Sequence, residues 1–254
     1  MTAHLIFAPM DMRAFNRWAA DRRLVRRGTF DEGYALHVLL SSMFGKGVLQ
    51  PFRLFSSPRR RAASLYGYAE EDEIALRRTA DTVATPDCLA ALDPARLRSK
   101  AMRTDYAEGQ RLGFDLRVRP VRRLHRETAH LNGRVLTKGS EIDVFVTTIR
   151  QGASRETRQD QRSPARRQAA YSEWIAERFG DVADIDRARC RLAAFRRSRT
   201  IRANGRGPEG PDATIQGVLT VTRPDAFAEH VRRGIGRHKA YGYGMVLLRP
   251  PPTA

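Results

Sequence analysis

The order in which short apolar runs and amphipathic stretches follow one another constrains this chain most. Residues 4–9 (HLIFAP) read as a buried strand. An amphipathic helix follows near 11–25, with Met12, Phe15, Trp18 and Ala19 on one side. Asp31 is placed to cap a second helix through about Phe44, which Gly45 and Gly47 stop. Phe52–Phe55 and Ala62–Tyr68 read as strands separated by the breaker SSPRRR. Helical material between 70 and 100 is interrupted by Pro86 and Pro94. In GFDLRVRPV, residues 113–121, Phe114, Leu116 and Val118 alternate with charge, the pattern of a half-buried strand. The order approximates β-α-β-β-α-β, one sheet covered by two helices.

The stretch 126–168 breaks this pattern. It holds a short apolar piece, Ile142–Ile149, and a polar run, SRETRQDQRSPARRQ, which reads as a connector. A helix then carries Tyr171, Trp174, Ile175 and Phe179 on one stripe. A strand-like Arg191–Arg202, a strand at 215–222, a helix at 224–233 and a last strand at 244–249 complete a second unit. The expected fold is α+β with two tandem units. The first covers 1–125, a connector covers 126–168, and the second covers 169–254, with 141–149 a candidate for its first strand.

At 254 residues the chain is long enough to bury two cores. No run approaches 18 consecutive apolar residues and the start, MTAHLIFAPM, has no basic leader, so neither a membrane span nor secretion is expected. Cys88 and Cys190 make neither a disulfide framework nor a zinc site. The chain reads as a soluble cytoplasmic protein. Its 46 Lys+Arg against 28 Asp+Glu give a net charge of +18 and a sequence pI near 11.1. Codon bias explains why 42 of the basic residues are Arg, but not the excess of base over acid. A surface this positive attracts polyanions, of which nucleic acid is the commonest.

Three segments carry chemistry. In the helix at 31–44, the ~100° step per residue clusters Leu36, Leu39, Leu40 and Met43 on one stripe, with Tyr34, His37 and Ser41 opposite. A phenol and an imidazole three residues apart then stand together on the outward side, and an imidazole exchanges protons near neutral pH. The second segment is GIGRHKAYGYGM, 234–245, where Gly234, Gly236, Gly242 and Gly244 flank Arg237, His238, Lys239, Tyr241 and Tyr243. Glycines let a backbone approach phosphate, and aromatic rings stack on bases. Neither the dinucleotide-binding glycine spacing nor the P-loop is present. Third, residues 187–202 hold seven Arg and no acid. Strand alternation puts Arg197 and Arg199 on one face and Arg196 and Arg202 on the other, which suits an arm along a nucleic-acid groove. Residues 111–126 add six Arg. For metal, His125 and His130 lack accompanying ligands, and Glu70, Glu71, Asp72 and Glu73 read better as a helix start. A metal site is not expected.

The runs DEGYALHVLLSSMFG, PFRLF, FDLRVRPVRR, WIAERFG, GVLTVTRP and RRGIGRHKAYGYGMVLLRP resemble the CasE family, the CRISPR-associated endoribonucleases of type I-E (Cascade) systems. The likeness runs from the first strand to Pro250 and is weakest in 56–100 and 126–168. It implies two ferredoxin-like (RRM-like) domains and cleavage of precursor CRISPR RNA at the base of each repeat hairpin, without metal or small-molecule cofactor. It makes His37 the catalytic histidine and Tyr34 its neighbouring tyrosine. It places Gly234, Gly236, Arg237, Lys239, Gly242 and Gly244 at the RNA, and Arg196, Arg197, Arg199 and Arg202 on the stem. It also implies that the cut product stays bound beside other Cascade subunits. The reaction so implied is attack by the RNA's own 2′-hydroxyl, leaving a 2′,3′-cyclic phosphate and a 5′-hydroxyl. His37 would serve as base or acid, the sequence leaving both open. Two other readings stay open on the sequence: a non-catalytic RNA-binding subunit, and a metal-dependent nuclease or nucleotidyltransferase.

Overall fold

The computed structural model describes residues 3–26, 29–56, 62–129, 135–151, 163–199 and 209–251. Strand β1 (His4–Asp11) leads into helix α1 (Met12–Asp21), whose first turn is closed by the Asp11 carboxylate accepting the N–H groups of Arg13 and Ala14. The two-residue strands β2 (Val25–Arg26) and β3 (Thr29–Phe30) pair as a small ribbon before helix α2 (Glu32–Phe44). Strands β4 (Phe52–Phe55) and β5 (Ala62–Ala69) follow, then helices α3 (Glu73–Val83) and α4 (Pro86–Ala91), and strand β6 (Arg98–Ala101). These strands form an antiparallel sheet in the order β4-β5-β1-β6. On β1 the pleat sends Ile6, Ala8 and Met10 into a core shared with Phe15 and Trp18 of α1 and with Leu36, Leu39 and Met43 of α2.

Strand β7 (Arg111–Val118) belongs to a different sheet. Sequence order assigned residues 113–121 to the first unit. Instead β7 pairs antiparallel with β14 (Glu209–Val221) on one side and β15 (Val246–Arg249) on the other. The first sheet is closed by β6, whose residues are mostly exposed and show no apolar alternation to mark them. After β7 come β8 (Val121–Arg123), the paired β9 (Thr128–Ala129) and β10 (Val135–Leu136), and β11 (Glu141–Asp143), which pairs with β8. The apolar piece Ile142–Ile149 is therefore not the first strand of the second unit. Its strand ends at Asp143, and Val144–Gln151 is helix α5, whose Val144, Phe145 and Ile149 are buried at helical spacing. Helix α6 (Pro164–Phe179), β12 (Ala183–Ile185), β13 (Arg191–Arg199), β14, helix α7 (Pro224–Arg233) and β15 complete the second layer. Its order is β12-β14-β7-β15, with β13 also on β14.

In each sheet the strands, counted within the unit, run second, third, first, fourth, with helical crossovers between first and second and between third and fourth. That is the ferredoxin-like arrangement, occurring twice. The two units touch through named contacts: Tyr68 Oη donates to the Val246 carbonyl at 2.6 Å, Arg53 pairs with Asp115, and Arg232 reaches Glu70 at 3.1 Å. A further junction joins α2 to the turn at Lys239–Tyr241.

Candidate active site

Helix α2 forms because its N-terminal Asp31 accepts the Tyr34 N–H and because Ala35, Leu36, Leu39, Leu40, Met43 and Phe44 give it a buried stripe. The stripe fixes the rotation of the helix, so Tyr34 and His37 stand half-buried on the other side. They do not face open solvent. The ring of Tyr241, from the glycine-rich segment of the second unit, meets His37 edge-on at 5.3 Å between ring centres and lies 6.3 Å from Tyr34. The approach is possible because residue 33 is glycine: a Cβ there would collide with the Tyr241 carbonyl. Burial lowers the His37 pKa below the ordinary histidine value, and the nearby positive charge of Lys46 lowers it further. The imidazole is therefore neutral at pH 7.

The loop 234–244 bends back on itself. Gly234, Gly236, Gly242 and Gly244 all have φ between +68° and +81°. At Gly234 a side chain would meet the Gly244 carbonyl at 2.6 Å and Pro51 at 2.8 Å. The Gly244 carbonyl accepts from Ile235 N–H at 2.8 Å, and Gly244 N–H donates to the Arg117 carbonyl at 2.8 Å, fastening the loop's end to β7. Lys239 Nζ donates to the Arg233 carbonyl at 2.8 Å, and burial lowers its pKa. Arg237 Nε donates to Glu141 Oε1 at 2.6 Å, and His238 Nε2 lies 2.7 Å from Glu141 Oε2. Burial pushes the Glu141 carboxyl up. His238 and then Arg237, by hydrogen bond and charge, outweigh that and hold it at about 2.

The arginine arm is β13, paired to β14 and exposed along most of its length. Arg197 and Arg199 both reach Glu209, at 2.6 and 3.8 Å, while Arg196 reaches Asp212 at 2.8 Å, so alternation assigned their faces correctly. Asp212 is buried and also receives Arg117 through two hydrogen bonds, at 2.9 and 2.8 Å. The guanidinium of Arg117 lies 4.7 Å from the centre of the Tyr243 ring. Arg196 is thereby linked through Arg117 and Tyr243 to the loop. Arg202 and His130 lie outside the described residues, as does 152–162 of the polar connector. Among the described residues, no three His, Cys, Asp or Glu side chains gather as a metal-ligating group, and no helix is long and apolar enough to cross a membrane.

The structure thus brings Tyr34, His37 and the glycine-rich loop together, and connects Arg196 to them. Sequence reasoning missed Glu141, Asp212 and Lys46 as parts of the arrangement, and counted Arg117 only among the six Arg of 111–126. Tyr241 lay within a segment already singled out. Glu141 carried no signal, since it falls in the stretch where the sequence pattern breaks.

No curated protein matches the sequence. Solved structures do match the fold. The structure described as Thermus thermophilus Cse3 bound to an RNA representing a pre-cleavage complex has a TM-score of 0.62 at 17% identity, covering 98% of this chain and 100% of that one. A CRISPR endoribonuclease Cse3 bound to 19 nt RNA gives 0.61 at 17% identity, with the same coverage. The CRISPR-associated protein Cas6e from Escherichia coli str. K-12 gives 0.50 at 17% identity, covering 97% of this chain and 99% of that one. Residues 6–250 match the family described as CRISPR associated protein, and the chain belongs to that family.

Proposed function

We propose that this protein is an endoribonuclease that cuts CRISPR repeat RNA at the base of its hairpin and keeps the crRNA product as a subunit of a Cascade-type complex. The observation that carries the reading is the imidazole of His37, lifted from the core by its own helix and roofed by Tyr241 of a cationic, glycine-rich loop. The fold shared with RNA-bound Cse3 supports it.

The nucleophile is the 2′-hydroxyl beside the scissile phosphate, so the protein's task is to set in-line geometry and move protons. Neutral at pH 7, His37 accepts the proton of that hydroxyl as the new P–O bond forms and the bond to the 5′-oxygen breaks. The departing 5′-oxygen takes a proton from water and leaves as a 5′-hydroxyl, and the phosphate closes to a 2′,3′-cycle. Tyr34 holds the ribose, while loop N–H groups and Lys239 meet charge gathering on the phosphate. Arg196, Arg197, Arg199 and Arg202 grip the stem, whose deep, narrow major groove presents mainly phosphates. None of these steps calls on a metal ion.

The test is single-turnover cleavage, in EDTA, of the repeat RNA from the protein's own genomic neighbourhood. The wild type is expected to cut at one position and leave a cyclic phosphate. His37→Ala should be slower by ~10²–10⁴ with unchanged affinity. Absence of any cut by the wild type means a non-catalytic RNA binder, and cutting only with divalent ions means a metal-dependent nuclease. His37→Ala cutting at the wild-type rate removes His37 from the mechanism.

A further inference from the structure

The stretch around Glu141 matches neither ferredoxin-like unit, yet one of its side chains holds the loop that covers His37. Glu141 begins β11, in register with Arg123 of β8. The backbone beneath it is anchored: Ile142 is buried, and Asp143 accepts the Phe145 N–H at 2.9 Å and the Tyr171 hydroxyl at 3.1 Å. From this fixed base the Glu141 carboxylate, its side chain only 10% exposed, divides its two oxygens between consecutive loop residues, Arg237 and His238.

His238 has φ +63°, a left-handed conformation that costs energy for any side chain but glycine. Its carbonyl accepts the Tyr241 N–H at 2.9 Å, closing the single turn that carries the Tyr241 ring to His37. The ends of the loop are fastened elsewhere, through Gly234 N–H to the His230 and Val231 carbonyls and through Gly244 N–H to Arg117, while Lys239 reaches back to the Arg233 carbonyl. Glu141 grips the middle. Burying a carboxylate is unfavourable unless it is fully paired, and here both partners lie on the one segment that must be placed accurately.

We propose that Glu141 is a positioning residue for the cleavage reaction, acting through His238 and Arg237 to seat Tyr241 over His37. The inference rests on the endoribonuclease reading. Glu141→Ala lets His238 relax from its left-handed conformation and the Tyr241 ring swing away. A misplacement of about 1 Å costs up to ~10²-fold in rate, so a ~10–100-fold slower single-turnover cleavage is expected. Kd for a 2′-deoxy, uncuttable hairpin should change by less than about threefold, because stem contacts are elsewhere. Glu141→Gln keeps an oxygen for Arg237 and an amide N–H for His238 Nε2, and should recover most of the rate. Glu141→Ala combined with His238→Ala should be no slower than Glu141→Ala alone.

A readout that needs no cleavage separates this inference from the function it rests on. In the wild type the edge-on Tyr241 ring shifts the His37 imidazole proton resonances, and in Glu141→Ala that shift should collapse. His238→Ala should give the same collapse if the glutamate variant folds poorly. His37 resonances that stay where they are in the wild type in both variants, cleavage at the wild-type rate, or affinity lost in step with rate would each overturn the role given to Glu141. Collapse of the ring shift, with a wild type that cuts no RNA, would sustain the positioning and reject the endoribonuclease.

Discussion

Helix α2 and the loop 234–244 supply the two sides of one site, and they are held by opposite means. The helix is fixed by burial: its stripe of Leu36, Leu39, Leu40 and Met43 is packed into the first core, and His37 takes its direction from that packing. The loop sends only the side chains of Ile235 and Tyr243 into buried surroundings. Glycine conformations, backbone hydrogen bonds and side chains from outside, Glu141 among them, hold the rest in place. An apolar core resists change until it unfolds, whereas a polar latch can open locally. Damage to the helix side should therefore appear as lost stability, and damage to the loop side as lost rate.

The largest effect is expected on the helix side. Leu39 is fully buried, and Leu39→Ala should destabilise the fold by ~2–5 kcal/mol, the usual cost of deleting such a side chain and leaving a cavity. Urea unfolding followed by circular dichroism measures this. The rate per folded molecule should remain near the wild type. A large fall in rate without a fall in stability would contradict the division drawn above. On the loop side, Gly244→Ala would put a Cβ 2.5 Å from the Ile235 carbonyl at a φ of +81°. Strain of ~1–3 kcal/mol follows. The loop escapes it by lifting from α2, so cleavage should slow about tenfold while Tm hardly moves. An equal loss of Tm in both variants would mean that loop and core unfold as one.

The same contrast separates what could be read from the sequence from what could not. The outward pair Tyr34 and His37 was legible because a helix with a leucine stripe leaves one orientation open, and the stripe is local. The faces of Arg196, Arg197 and Arg199 were legible because a strand has period two. Strand β7 was misplaced because alternation marks a strand but does not name its sheet. Phe114, Leu116 and Val118 fit either core, and only pairing with β14 and β15 decides. The strand that closes the first sheet, β6, passed unseen for want of any apolar pattern. Glu141 and Asp212 were illegible for a further reason. Their partners lie 96 or 97 residues away for Glu141 and 16 or 95 residues away for Asp212, and a single carboxylate in a charged stretch does not reveal which cation it meets.

The smallest effect concerns Lys46, whose charge reaches His37. His37 is neutral at pH 7 because burial, and then Lys46, disfavour its protonated form. If His37 is the base, kcat/KM rises with pH as the imidazole loses its proton, with the midpoint of the rise below the ordinary histidine value of ~6.5. A rate that instead falls as pH rises through this range would make His37 the general acid. Lys46 is exposed, so water and salt weaken its influence. Lys46→Ala should move the rising limb slightly upward in pH, which lowers kcat/KM on the acid side of the limb and leaves it unchanged at pH 8. Raising salt should move the wild-type limb in the same direction and leave the position of the variant's limb unchanged, on top of the weaker RNA binding that both share. A limb that ignores both would leave burial alone as the cause, and would place the tuning of His37 wholly on the apolar side of the site.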